Sequence, residues 1–169
     1  IFNGEIMNLL LSSLYAGNID YYCALSKASN VTIDTYHNFQ KQSYRNRCVI
    51  AGANGRLNLI IPVKRKSGKT PLNKVLIDND QNWRKMHWKS LESAYRTSPY
   101  FEYYEHEFRS IFLVKRHDFL IDFNNDVLNI TLKFLQIETT INYSRSYVDN
   151  DKEFLDLRDL IHPKKSPQN

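Results

Sequence analysis

Between Tyr36 and Cys48 almost every side chain is a hydrogen-bond donor, and two arginines, Arg45 and Arg47, flank an amide. A guanidinium is a planar fork that meets a phosphate or carboxylate with two parallel bonds. If Tyr44 to Cys48 is extended, both arginines project from one face with period two and clamp a single anionic group. Lys41 adds a flexible cation. Gln40, Gln42 and Tyr44 supply the amide and phenol groups that read sugar hydroxyls or base edges. The competing reading pairs the two arginines with acids elsewhere, such as Glu102, Glu105 or Glu107.

The run lies inside a wider asymmetry. From Tyr36 to Ile77 there is no Asp or Glu, while nine cations occur: Lys41, Arg45, Arg47, Arg56, Lys64, Arg65, Lys66, Lys69 and Lys74. With 18 acids in 169 residues, that 42-residue window should hold about four or five. A side of the domain carrying this segment attracts anions, unless it is simply a solvated basic face.

A second group is Trp83-Arg84-Lys85-Met86-His87-Trp88-Lys89-Ser90. On a helix His87 shares a face with Arg84, Ser90 and Leu91. An imidazole titrating near neutrality can act as general base, hydrogen-bond a ligand, or serve as a core histidine. The two tryptophans suit core packing or stacking. Ser90 lacks the G-x-S-x-G elbow of a nucleophile.

Other chemistries drop out. Neither G-x-x-x-x-G-K-[ST] nor G-x-G-x-x-G occurs, and Ser67-Gly68-Lys69-Thr70 has no glycine-rich approach. No His and acid spacing suits a metal, so no metal and no cofactor are expected. Cys23 and Cys48 form no CxxC pair and no disulfide scaffold, which points to a reducing compartment and a cytoplasmic setting. No apolar run approaches the ~18–20 residues that would span a membrane. The stretch Met7–Leu14 lacks the basic flank and length of a signal peptide, and the sequence begins at Ile1 rather than at an initiator.

The elements that must position these residues follow from pattern and punctuation. The chain has 169 residues, 42% hydrophobic and 13% aromatic, with a net charge of +5, enough for one folded domain. Met7–Leu14 reads as a strand, Asn18 caps a helix from Ile19 to about Ala28 with Tyr22, Leu25 and Ala28 inward, and Val31–Asp34 is a second strand. Tyr44–Ala51 and Arg56–Val63 flank Gly52-Ala53-Asn54-Gly55, a hairpin signal, and Lys74–Asp78 reads as a further short strand. Helices are expected from Asp80 or Asn82 to about Thr97, from a cap at Ser98 with Pro99 in the first turn, and from about Asp118 to Ile137. Thr139–Tyr143 closes as a late strand. The fold class is α/β: an N-terminal β-α-β unit and a β-hairpin forming a mixed sheet, with a helical C-terminal half.

Four segments, FQKQSYRNRCVI from Phe39, LIIPV from Leu59, HWKSLESAYRTSPYFEYYEHEF from His87 and DLRDLIHPKK from Asp156, resemble the WbqC-like protein family. The resemblance covers nearly the whole chain and implies a single WbqC-like domain over residues 1–169. The family continues past the His-Pro-Lys segment with an aromatic stretch and a further helix, an element expected to be absent from this sequence, which ends at Asn169. The resemblance also implies a role in O-antigen synthesis, with glycine transfer onto an amino sugar as the suggested reaction. It carries over no catalytic residue.

The leading expectation is a cytoplasmic acyl or aminoacyl transferase acting on a nucleotide sugar that bears an amine. Arg45, Arg47 and Lys41 neutralise the diphosphate, Gln40, Gln42 and Tyr44 orient sugar or base, and His87 takes the proton of the attacking amine. An activated ester, a charged tRNA among the forms, serves as acyl donor. The alternatives are a non-catalytic nucleic-acid or polyanion binder, since basic residues interleave with Tyr and Phe, and an assembly subunit using the Phe101–Phe112 face. Oligomeric state is not legible.

Overall fold

A computed structural model describes residues 6–64, 69–149 and 153–161. The basic loop holding Arg65 and Lys66 and the tail from His162 onward lie outside the described residues. The expected β-α-β unit is present as β1 (Ile6–Leu11), α1 (Ile19–Lys27) and β2 (Ala28–Ile33). The strands pair in parallel, with Leu9 opposite Val31 and Leu11 opposite Ile33. Leu9, Leu10 and Leu11 are all fully buried, as befits a strand covered on both faces.

Asn18 starts α1 by accepting from the Tyr21 N–H at 3.2 Å, which satisfies a donor that has no partner within the helix. Tyr21, Ala24 and Leu25 face inward, whereas Tyr22 is only half-buried. Gly17 is the reason: a Cβ there would lie 2.4 Å from the Tyr21 ring, so only glycine lets that ring fold back over the turn.

Two later strands complete the sheet. β5 (Thr140–Tyr143) pairs in parallel with β2, and β6 (Leu155–Asp156) pairs in parallel with β1, giving the order β5-β2-β1-β6. The chain moves from β1 outward to β2 and β5, then crosses to the opposite edge for β6. All four strands therefore end on one side. The expected hairpin is β3 (Arg47–Gly52) and β4 (Gly55–Ile60), a two-stranded sheet of its own, so parallel and antiparallel pairings occupy separate sheets. Gly52 pairs with Gly55, so Ala53-Asn54 form the turn and Gly55 takes the positive φ of 107°.

The C-terminal half is helical, with α2 (Trp83–Tyr95), α3 (Phe101–Arg109) and α4 (Leu120–Leu135). A π-helical turn, Ser110–Val114, prolongs α3, and α3 itself begins after Tyr100 rather than at Ser98. Lys74–Asp78 is not a strand. A 3-10 turn covers Leu72–Lys74, and the following residues make single bridges to two different partners, Val63 with Ile77 and Leu76 with Phe119. The core has two centres. Leu9, Leu11, Val31 and Ile33 pack with Leu128 and Leu132 in one, and Tyr15, Leu59, Trp83 and Phe112 pack with Phe123 and Val127 in the other. Helix α4 feeds both.

Candidate functional site

Ligands of open parallel sheets bind beyond the carboxyl ends of the strands, where the strand order reverses direction. That edge here holds a buried polar cluster. Asp34, the residue after β2, is 0% exposed. Its Oδ1 accepts from the Tyr36 and His37 N–H groups at 3.0 and 3.1 Å and from Ser144 Oγ at 3.1 Å. Its Oδ2 accepts from Arg158 Nη1 at 2.5 Å. Arg158 also donates Nη2 to Asp156 Oδ2 at 2.7 Å and Nη1 to the Val148 carbonyl at 2.7 Å, and it lies over the Tyr147 ring. Burial opposes the Arg158 charge, but the bonds to Asp156 and Asp34 outweigh it and raise the pKa. Burial likewise pushes the Asp156 carboxyl up, and Arg158 more than reverses this.

Arg45 joins the cluster from the other side. It is 2% exposed, and its Nε donates to Ser12 Oγ at 2.9 Å, just past the end of β1. Its Nη2 lies 2.8 Å from His37 Nδ1. A guanidinium can only donate, so His37 accepts at Nδ1 and carries its proton on Nε2. Burial and then the Arg45 charge lower the His37 pKa, in keeping with a neutral ring. Three donors now converge on one carboxylate: Gln40 Nε2 is 2.8 Å and Arg45 Nη2 3.5 Å from Asp159 Oδ1, and His37 Nε2 is 3.9 Å from Asp159 Oδ2. Asp159 is 56% exposed in its side chain. Gln40 thus binds the Asp159 carboxylate, Arg45 faces it at salt-bridge range, and the His37 ring stands behind them.

Of the residues expected from sequence, Gln40 and Arg45 are brought together. Lys41 and Gln42 sit exposed on the turn, with Gln42 in the left-handed region at φ 58°. Tyr44 is half-buried against the sheet's core, and its carbonyl accepts from the Tyr15 N–H at 2.9 Å. Tyr44–Asn46 are turn and bend rather than extended, so Arg45 and Arg47 do not share a strand face. Side-chain amides hold the curl: Asn124 Nδ2 donates to the Arg45 carbonyl and Asn46 Nδ2 to the Ile61 carbonyl, both at 2.9 Å. Arg47 opens β3, and its Nε is buried without a hydrogen-bond partner. The acid opposite Arg45 is Asp159, while Glu105 meets Arg96 and Glu107 meets Lys133.

His87 lies in the core, 4% exposed, among Trp83, Tyr15 and Phe112. Its Nδ1 is 3.0 Å from the Tyr15 hydroxyl. Burial lowers its pKa to about 4, opposed in part by a hydrogen bond to the Ile60 backbone. Among the described residues no hydrogen bond or ring contact joins it to Arg45, Gln40 or His37. The apolar neighbours that share its helix face draw the ring inward.

Residues 13–162 match the WbqC-like protein family. The chain belongs to that family. It is also similar to the uncharacterized protein Rv1507c of Mycobacterium tuberculosis, 29% identical over 110 residues, which make up 64% of this chain and 47% of that protein. The WbqC-like chain thus spans about half the length of the curated relative it matches. No solved structure matches it significantly, and among the described residues no helix is long and apolar enough to cross a membrane.

No local spacing singles out His37, Asp34, Asp156, Arg158 or Asp159 as site residues of the WbqC-like chain. One local signal was available for two of them. Asp34 directly follows the β-branched run Val31-Thr32-Ile33, and Asp156 stands two residues before Arg158. Polar residues at strand ends are where a parallel sheet presents its chemistry.

Proposed function

We propose that this WbqC-like chain binds the phosphate of a nucleotide-linked amino sugar at the carboxyl edge of its sheet. On this reading it transfers an acyl group, of which glycyl is one form, to the sugar amine in cell-surface polysaccharide synthesis. The convergence of Gln40, Arg45 and His37 on Asp159 carries the reading, because those donors are aimed at an anion. The Arg45–Asp159 contact is long and its acid well exposed, so little stability is lost when a ligand phosphate replaces the carboxylate. Arg45 stays aimed by Ser12 and His37 during that exchange.

Lys41 and Gln42 on the exposed turn meet the outer part of the ligand, with Tyr44 and Arg47 behind them. In the transfer a bond forms between the amine nitrogen and the donor carbonyl carbon. The bond to the donor's ester oxygen breaks, and the amine proton leaves with that oxygen. A nearby guanidinium favours the neutral, attacking amine. The donor is an activated ester, and a charged tRNA would find exposed Lys69 near the Gln40 turn, since the neighbouring Thr70 carbonyl accepts from the Phe39 N–H. His87 contributes by fixing Tyr15, not by meeting the substrate.

Isothermal titration with UDP-glucosamine, and with UDP alone, tests the site. Gln40→Ala and Arg45→Ala should each weaken binding at least tenfold, with circular dichroism verifying the fold, and Asp159→Asn should tighten it severalfold. Binding indifferent to both Gln40→Ala and Asp159→Asn sinks the proposal. Affinity for single-stranded RNA that collapses with salt, with none for UDP, favours the polyanion binder instead.

A further inference from the structure

We infer that the aromatic-walled cavity between the hairpin and helices α2, α3 and α4 is a binding site for the hydrocarbon chain of a fatty acyl or alkyl compound. The cavity measures about 520 Å³, within the range of small-molecule sites. Cys48 and Leu59 line it from the hairpin, Trp88 from α2, Phe101 and Phe108 from α3, and Val127 from α4.

The polar atoms in its wall select the occupant. The Tyr15 hydroxyl is engaged with His87 Nδ1 at 3.0 Å, and the Tyr95 hydroxyl accepts from the Ala51 N–H at 3.3 Å. Glu105 has its charge opposite Arg96 at 3.8 Å. Among the described residues none in the wall has a buried side-chain polar atom lacking a partner. A sugar, nucleobase or peptide placed here would find few partners to replace the water it gives up, and this is penalised. A methylene chain gives up nothing and is rewarded for leaving water.

The cavity is distinct from the anion site, and the inference does not rest on the function proposed above. Two short segments divide the space. Ser12 and Arg45 face the polar cluster, while Tyr15 and Cys48, three residues further along each segment, face the cavity.

The chain's two cysteines provide the test. Cys48 is buried in the cavity wall and Cys23 is exposed outside it. The intact protein is treated with methyl methanethiosulfonate, a small uncharged thiol reagent, with or without dodecanoic acid or 1-dodecanol, and each cysteine is followed by peptide mass spectrometry. Ligand should slow Cys48 modification at least tenfold and leave Cys23 unchanged. Protection by both compounds shows recognition of the chain alone, and protection by dodecanoate alone adds recognition of its head group. Across a series from octanoate upward, the concentration giving half-protection should fall about fourfold per methylene until the cavity is full. Leu91→Trp, which fills the cavity, should abolish protection. Cys48 rates unaffected by either compound, or slowed equally with Cys23, overturn the inference on the wild-type protein alone.

Discussion

Arg158 donates Nη1 to Asp34 Oδ2 at 2.5 Å, tying the segment after β6 to the end of β2 across 124 positions of sequence. Both side chains are almost wholly shielded from water. Removing Arg158 leaves Asp34 a buried charge without its cation, and removing Asp34 leaves Arg158 with Asp156 alone and the loop after β2 without its acceptor. Arg158→Ala and Asp34→Ala should each destabilise the fold by about 3–5 kcal/mol, read as a lower urea midpoint. Asp34→Asn with Arg158→Met should recover part of the loss. A midpoint for Arg158→Ala equal to that of the parent would refute the anchoring role.

The buried His87 ring makes stability depend on pH. In the unfolded chain it takes a proton near pH 6.5, and in the fold only near pH 4, because burial disfavours the charge. The unfolded state therefore holds the extra proton between those values. Stability from this group is full above pH 6.5, declines as pH falls towards 4, and is level below, a loss on the order of 3 kcal/mol. Urea midpoints measured across that window should show the slope in the parent and a shallower one in His87→Gln.

Gly17 is a packing constraint more than a turn residue. A methyl group there would collide with Tyr21, whose ring is 2% exposed and cannot swing away. Gly17→Ala should cost about 1–3 kcal/mol and lower the melting temperature. A Gly17→Ala/Tyr21→Ala variant should lose less than the sum of the two single changes, since the collision is absent when the ring is gone.

Helix α4 ends on Gln136 in the left-handed region, at φ 53° and ψ 38°. An L side chain is strained there and glycine is not. Gln136→Gly should stabilise the fold by about 1 kcal/mol, with the side chain's exposure leaving no packing to lose. A fall in the denaturation midpoint would contradict this.

Legibility from sequence followed the range of the interactions involved. The β-α-β unit was readable because the leucine run, the Asn18 cap and the β-branched run each act within a few residues. The hairpin was readable too, though glycine at Gly55 rather than the Asn54-Gly55 pair placed its turn. The donor-rich segment showed itself through composition, and the fold brings two of its side chains, Gln40 and Arg45, together at Asp159. Their geometry was hidden, since Asn46 and Asn124 curl a backbone that spacing alone suggested was extended. The acids that set the charge of the site arrive from Asp34 and from Asp156 to Asp159, and no local pattern records a pairing across so much chain. Strand β6 is two residues long, too short for any periodicity to reveal. His87 was singled out for its chemistry, whereas the decisive fact was the set of apolar neighbours sharing its helix face.

The sheet order β5-β2-β1-β6 has a consequence for biosynthesis. The two central strands leave the ribosome first, and both flanking strands follow roughly a hundred residues later, on the order of 5–20 s at typical elongation rates. During that interval the nascent β1–β2 ribbon has two open edges, the condition under which strands recruit foreign partners. Yield in the cell should therefore respond to chaperone supply and to translation speed through the middle of the message.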